Sequence, residues 1–232
     1  MKRKIVGVDM HCHLLPGVDD GCRDIKESIK IINMMKKKGI NNLFLTPHLY
    51  SPNVNSEGDL FDEKLEELRI NIDNDVNLKL GSEVYILPGV SKKRVIPLGN
   101  SNYLLVEFPV EMFPISGMKE LYEFQKKGYK IILAHIERYS YLYRDNMINV
   151  FKGTVEPTDL LIQMKNMGIF FQVNWNTLIN PTLKQKRILR LLNRFNWIDF
   201  TGSDKHNLRD KRELIDKKNN IYTSLRNEEL LT

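Results

Sequence analysis

Long apolar runs are missing from this 232-residue chain. None approaches the roughly 20 residues needed to cross a bilayer, so no membrane span is expected. The opening MKRKIVGVDMHCH is basic and then apolar. Its apolar part is short, it runs straight into Asp9 and His11, and no small-residue cleavage site follows, so a cytoplasmic protein is expected rather than a secreted one. Cysteine is almost absent: Cys12 and Cys22 give no disulfide framework and are assigned to packing. No G-x-G-x-x-G and no G-x-x-x-x-G-K-[ST] occurs, which leaves a nucleotide cradle without support. Repeats, low-complexity tracts and Gly/Ser linkers are missing as well, and the length suits one large domain or two small ones. The formal net charge is +6. Its lysines are interspersed with acids on presumed helix faces, which reads as solvated surface; a preference for anionic substrates or membrane-proximal partners is the functional alternative. No nucleic-acid partner is expected.

What the chain does have is alternation. Strand-like apolar runs occur at 4–11, 42–48, 78–86, 103–109, 130–138, 169–175 and 197–206. Helical spacing of apolar residues occurs at 24–39, 60–72, 118–128, 157–168 and 181–195. Pro157 and Pro181 suit first-turn positions, and Gly39, Gly128 and Gly168 suit helix ends. Seven strand candidates interleaved with helices imply an α/β fold with a parallel sheet covered on its faces. Two closures fit, an open doubly wound sheet or a βα barrel. The stretch 84–102 carries no clear helix.

The polar residues are informative by position. His11, His13, His48, Glu83, Glu107, His135, Asp204 and His206 all lie at or just past the C-terminal end of a strand candidate. In βα barrels that face carries the active site. All five histidines of the chain belong to this set. In an extended segment residues i and i+2 point the same way, so His11 and His13 can converge on one ion, as can Asp204 and His206. Imidazole and carboxylate together suit zinc, manganese or iron. Cys12 stands between the histidines and points away from them. Neither cysteine opens the C-x-x-x-x-x-R loop of a cysteine-dependent phosphatase, because Val18 and Ser28 occupy the arginine positions. No G-x-S-x-G is present, and Ser203 reads as a neighbour of Asp204.

DMHCHLLPGVDDG, TPHLY, GSEVYI, LVEFP, AHIERY, VNWNTL and GSDKHN follow one another in the order of the polymerase and histidinol phosphatase (PHP) superfamily. More closely, the chain resembles the manganese-dependent protein tyrosine phosphatases of Gram-positive capsule and exopolysaccharide loci, the CpsB/YwqE type. The likeness spans about residues 5–210 and implies one PHP phosphatase domain over 1–232, a distorted (β/α)7 barrel. It also implies three divalent ions, Mn2+ first, with Fe, Zn or Co as alternatives. One ion would be held by His11, His13, Glu83 and Asp204, and Glu83 would bridge to a second shared with Glu107 and His135. Asp20, His48 and His206 would hold the third, with Asp19 as the rival of Asp20. Such ions leave a positive site that favours a phosphate dianion, and they acidify a water that attacks phosphorus in line.

Arg138, in HIERY, is the expected catalytic and phosphate-binding arginine. For a second phosphate contact Arg209 and Arg212 compete with Lys211, and Tyr50 is expected to line the entrance for a phosphotyrosine ring. Trp175 is read as strand packing near the pocket. The implied partner is a phosphotyrosine protein, the tail of a membrane-associated bacterial tyrosine autokinase. A homo-oligomer is also implied, for which the helix at 24–38 offers a contact face. Two other readings stand beside this one: a PHP phosphatase acting on a small phosphate monoester such as histidinol phosphate, and a non-catalytic metal-binding regulatory module.

Overall fold

The computed structural model describes residues 7–56, 58–145, 153–212, 214 and 226–231. All seven strand candidates contain strand, although residues 4–6 of the first lie outside the described residues. The first is β1 (Val8–Cys12). The next two are each broken in the middle, into β2 (Asn42–Leu45) and β3 (His48–Leu49), and into β4 (Asn77–Leu80) and β5 (Glu83–Tyr85). The break in the first pair falls at Thr46-Pro47, where proline has no N–H for a ladder. The break in the second falls at Gly81-Ser82. A Cβ on Gly81 would lie 2.6 Å from Leu98 Cδ2, so a larger residue there would have to displace the buried Leu98 side chain. After the breaks β3 re-pairs with β5, His48 opposite Glu83.

The sheet continues through β6 (Tyr103–Glu107), β7 (Lys130–Leu133), β10 (Phe170–Asn174) and β11 (Phe200–Gly202), all parallel. A parallel bridge from Lys205 to Cys12, with Asp204 N donating to His11 O at 2.7 Å, brings the end of β11 back to β1. The result is a curled parallel sheet, β1-β2-β4 on one side and β11-β10-β7-β6-β5-β3 on the other. Outside it, β8 (Tyr143–Arg144) and β9 (Glu156–Pro157) form a short antiparallel pair.

Helices cover the outer face: α1 (Ile25–Lys37), α2 (Phe61–Ile70), α3 (Gly117–Lys126), α4 (Asp159–Asn166), α5 (Trp175–Ile179) and α6 (Leu183–Arg194). In α1, Asp24 caps the N-terminus by accepting from Glu27 N at 2.9 Å, while Ile31, Ile32 and Met35 are buried against the sheet. Three local expectations are corrected. Pro157 and Pro181 are not in the first turns of α4 and α6. They precede the caps Thr158 and Thr182, whose hydroxyls accept from Leu161 N and Gln185 N and so fix the helix starts just after the threonines. Trp175 does not continue a strand: it opens α5 and is buried there. In the stretch after β5 only a single 3-10 turn, 90–92, forms among the described residues.

Two apolar cores result. The larger lies between sheet and helices. The smaller fills the barrel floor with Val8, Met10, Phe44, Leu98, Tyr103, Leu105, Ile132, Ala134, Phe200 and Leu230. Strand periodicity links this floor to the rim. Tyr103, Leu105 and Glu107 share one face of β6, and Phe170, Gln172 and Asn174 share one face of β10. Each column starts apolar and ends polar at its C-terminal end.

Candidate metal centre

The five histidines and four of the carboxylates expected to bind metal meet at the C-terminal end of the sheet. His11, His13, Glu83, His135 and Asp204 are buried, His48 and Glu107 nearly so. Backbone geometry makes the meeting possible. His135 (φ 33°) and Asp204 (φ 52°) adopt the left-handed conformation, unusual for residues with a Cβ, and turn their side chains inward at the ends of β7 and β11. Gly202 is needed for a different reason: a Cβ there would lie 2.7 Å from His11 Cβ.

The imidazoles are oriented from behind. His13 Nδ1 donates to Asp19 Oδ2 at 2.8 Å, and His11 Nδ1 donates to Gln172 Oε1 at 3.2 Å. That oxygen also accepts from His135 N at 2.7 Å, which fixes the amide orientation. With both Nδ1 atoms protonated, the two Nε2 lone pairs face each other 3.2 Å apart. Two acceptors this close need a cation or a shared proton between them. Outer-shell acceptors that free Nε2 in this way are a recurrent feature of metal-binding histidines.

Glu83 is the hub. Its Oε1 is 3.4 Å from His11 Nε2 and 2.9 Å from His135 Nε2, and its Oε2 is 3.3 Å from His13 Nε2 and 3.2 Å from His48 Nδ1. Glu107 faces it, with Oε1 3.0 Å from His48 Nδ1. Burial raises both carboxyls. The histidines around Glu83, His11 foremost, outweigh this and hold it well below the usual carboxylate range, while burial and the neighbouring Glu83 push Glu107 up to about 7. On the far side, Asp20 Oδ1 lies 3.6 Å from both His48 Nε2 and His206 Nε2. Three groups therefore present ligand-type atoms within 4.8 Å of one another: His11, His13 and Glu83; His48, Glu83 and Glu107; and His13, Asp20, His48 and His206.

Asp19 and Asp20 are separated by their surroundings. The Asp19 carboxylate is enclosed and fully used, accepting from His13 Nδ1, from His48 N at 3.0 Å and from Gly21 N at 2.9 Å. Asp20 is half exposed and turns toward His48 and His206.

Two arginines approach from one side and share Asp204. Arg138 Nη1 is 3.3 Å from Asp204 Oδ2, and Arg212 Nη1 contacts the same oxygen. Glu137 and Asp145 are not Arg138's partners among the described ion pairs: Asp145 pairs with Arg187, and Glu137 Oε1 accepts from Asn174 N. Despite burial, His11, Arg138 and Arg212 hold Asp204 below the carboxylate range. Arg212 is fixed by Asp210, which accepts from its Nε at 2.8 Å, and Lys205 donates to the carbonyls of Asp210 and Arg212. Arg209 is exposed, and its backbone N–H donates to Asn207 Oδ1 at 3.1 Å. Tyr50 lies outside the histidine cluster, its hydroxyl donating to Arg94 O at 2.6 Å.

Asp9, Gln172 and Asn174, buried polar residues beyond the set expected from the sequence, brace the site. Asp9 Oδ1 accepts from Ser203 N at 2.8 Å and His11 N at 3.3 Å, tying β1 to β11. Gln172 Nε2 donates to Asn174 Oδ1 at 2.9 Å, and Asn174 Nδ2 donates to Asp204 Oδ2 at 2.8 Å. A signal for two of them exists: Gln172 and Asn174 are polar at i and i+2 in the otherwise apolar IFFQVN.

A curled parallel α/β sheet with imidazoles and carboxylates gathered at its strand ends defines a PHP-type metal-binding barrel. The model of the capsular polysaccharide synthesis family CpsB/CapC matches residues 7–230, and the chain belongs to that family. It is 29% identical over 212 residues to the tyrosine-protein phosphatase YwqE of Bacillus subtilis, covering 88% of this chain and 79% of that one. It is 24% identical over 214 residues to the tyrosine-protein phosphatase CpsB of Streptococcus agalactiae serotype V, covering 87% and 83%. A chain from crystal structures of YwqE from Bacillus subtilis and CpsB from Streptococcus pneumoniae, described as unique metal-dependent tyrosine phosphatases, superposes with a TM-score of 0.71. The identity there is 26%, over 97% of this chain and 85% of that one.

Proposed function

We propose that this protein is a metal-dependent phosphatase that hydrolyses phosphotyrosine on a protein, and that it serves capsular or exopolysaccharide synthesis. The observation that carries the reading is the pairing of a histidine–carboxylate cluster with two guanidinium groups on one side of it. The donor set fits divalent ions. His48 Nδ1 and Glu83 Oε2 are buried without a hydrogen bond, the His11 and His13 Nε2 atoms converge, and Glu83 and Glu107 repel each other at close range. Cations relieve all three conditions.

His11, His13, Glu83 and Asp204 would hold one ion; Glu83, Glu107 and His135 a second; Asp20, His48 and His206 a third. His48 supports both of the latter, since Nδ1 faces Glu83 and Glu107 while Nε2 faces Asp20. Mn2+ is the first candidate, with Fe, Zn or Co accepted by the same donors. When bound, such ions supply Lewis acidity and an acidified water. The chain supplies the rest. Arg138 and Arg212 bind phosphoryl oxygens, and their planar forks orient the group. Asp19 and Gln172 keep the imidazoles in one tautomer, and Asp204 holds both guanidiniums at the site until an anion competes for them. The partner is a phosphorylated tail of a membrane-associated bacterial tyrosine kinase. No helix among the described residues is long and apolar enough to cross a membrane.

The test is release of phosphate from a phosphotyrosine peptide with and without Mn2+, beside histidinol phosphate as competitor substrate. Mn2+-dependent turnover of the peptide is expected. Metal-loaded protein with no turnover of the peptide sinks the reading, and preference for histidinol phosphate moves it to small monoesters.

A further inference from the structure

Next to the histidine cluster lies a cavity of about 410 Å³, lined among others by Leu49, Tyr50, Val54, Lys93, Arg94 and Ile96. Its walls come from the segments that follow β3 and β5, the short strands that open on His48 and Glu83. Both walls are tied to the site. Tyr50 stands two residues after His48 in a left-handed conformation (φ 67°), costly for an aromatic residue, and its hydroxyl anchors the opposite wall at Arg94 O. Ser82, the residue before Glu83, accepts from Ile96 N at 3.3 Å and donates to Ile96 O at 2.9 Å. The cavity is thus a built feature continuous with the strand ends of the site.

Its chemistry is two-sided. Leu49, Val54 and Ile96 give an apolar lining, and Lys93 and Arg94 give a cationic rim, with Asp59 the one acid among the described lining residues. Lys93 Nζ stands 4.5 Å over the Tyr50 ring and has no carboxylate partner among the described residues. The Arg94 side chain is 73% exposed, and Asp62, at 3.9 Å, is its nearest carboxylate. Leu49 and Tyr50, the two residues that follow His48, line the cavity, so a peptide segment that flanks the phosphorylated residue can reach it; two or three residues of extended peptide span about 7–10 Å.

We propose that this cavity is a specificity subsite, in which Lys93 and Arg94 bind an acidic side chain two or three residues from the phosphotyrosine. The proposal rests on the phosphatase reading given above. It places Tyr50 against the flanking residue rather than against the phosphotyrosine ring.

The experiment uses the full-length Mn2+-loaded protein and phosphotyrosine peptides carrying Glu, Ala or Lys at positions two and three on either side. Turnover is read as kcat/KM, and binding is read separately as Kd by fluorescence anisotropy. Glu peptides are expected to exceed Lys peptides by about 3- to 10-fold in both readouts, the scale of one or two partly exposed ion pairs. The double substitution Lys93→Glu, Arg94→Glu should reverse that order and leave p-nitrophenyl phosphate turnover unchanged. Turnover with no charge ranking, or a ranking that survives the double substitution, overturns the subsite and spares the phosphatase. A charge ranking in Kd with no turnover of any substrate keeps the subsite and overturns the phosphatase.

Discussion

Leu105 and Glu107 are two residues apart on β6 and face the same barrel interior, yet they belong to different materials. Leu105 packs into a floor with Met10, Ile132 and Phe200, all fully buried, whereas Glu107 joins a rim of imidazoles and carboxylates. The floor is held by non-directional apolar burial. The rim is a concentration of polar groups whose burial is unfavourable unless each is paired. Its outer partners Asp9, Asp19, Gln172 and Asn174 supply part of that pairing, while His48 Nδ1, Glu83 Oε2 and His135 Nδ1 make no hydrogen bond among the described residues. The same strands therefore carry stability at one end and chemistry at the other.

Substitutions should separate the two ends. The largest effect is expected for Glu83→Gln, which keeps shape and removes the central charge. Phosphatase kcat should fall by about 10³-fold or more while circular dichroism stays native. Retained activity would remove Glu83 from the reacting centre. Arg212→Ala should lower kcat/KM on the order of 10²-fold, as loss of one preorganised phosphate contact does, with Arg209→Ala within about two-fold of the parent. Equal effects of the two would contradict the geometry that turns Arg212, and not Arg209, toward Asp204.

On the floor, Leu105→Ala should cost about 2–5 kcal/mol in denaturant unfolding while kcat of the folded protein stays near the parent value. Chelation should lower Tm, and Mn2+ should restore it, because an ion bound only by the native state contributes about 3–4 kcal/mol at 100 to 1,000 times its Kd. A Tm indifferent to chelator would mean that the rim holds no ion. The smallest effect concerns the thiols. Burial pushes Cys22 up to about 12 and Cys12 well above its usual range, so native protein at pH 8 should resist iodoacetamide over hours, as mass spectrometry can show. Rapid alkylation of either would mean that the β1 end opens readily.

Much of the rim and the sheet is legible in the amino-acid sequence. Every histidine stands at the end of an apolar run, and the H-x-H and D-x-H spacings indicate a rim, because strand periodicity alone sends i and i+2 to one side. Alternation of strands and helices indicates a covered parallel sheet. The starts of α4 and α6 are harder to read, because threonine caps outcompete the prolines beside them. Trp175 is ambiguous because the end of an apolar strand and the start of a buried helix look alike over five residues.

By itself, then, the sequence determined the periodicities, the apolar floor and the set of polar residues available at the strand ends. Those follow from local sterics and from the alternation of side chains along a chain. The tertiary structure alone decided how the members of that set are used. Asp19 and Asp20 are neighbours of the same type, but one is enclosed by His13 and two backbone N–H groups and the other faces His48 and His206. Arg209 and Arg212 differ in the same way. Which of two like residues is spent on support and which is left facing the site depends on partners brought from distant strands, and no local pattern records that.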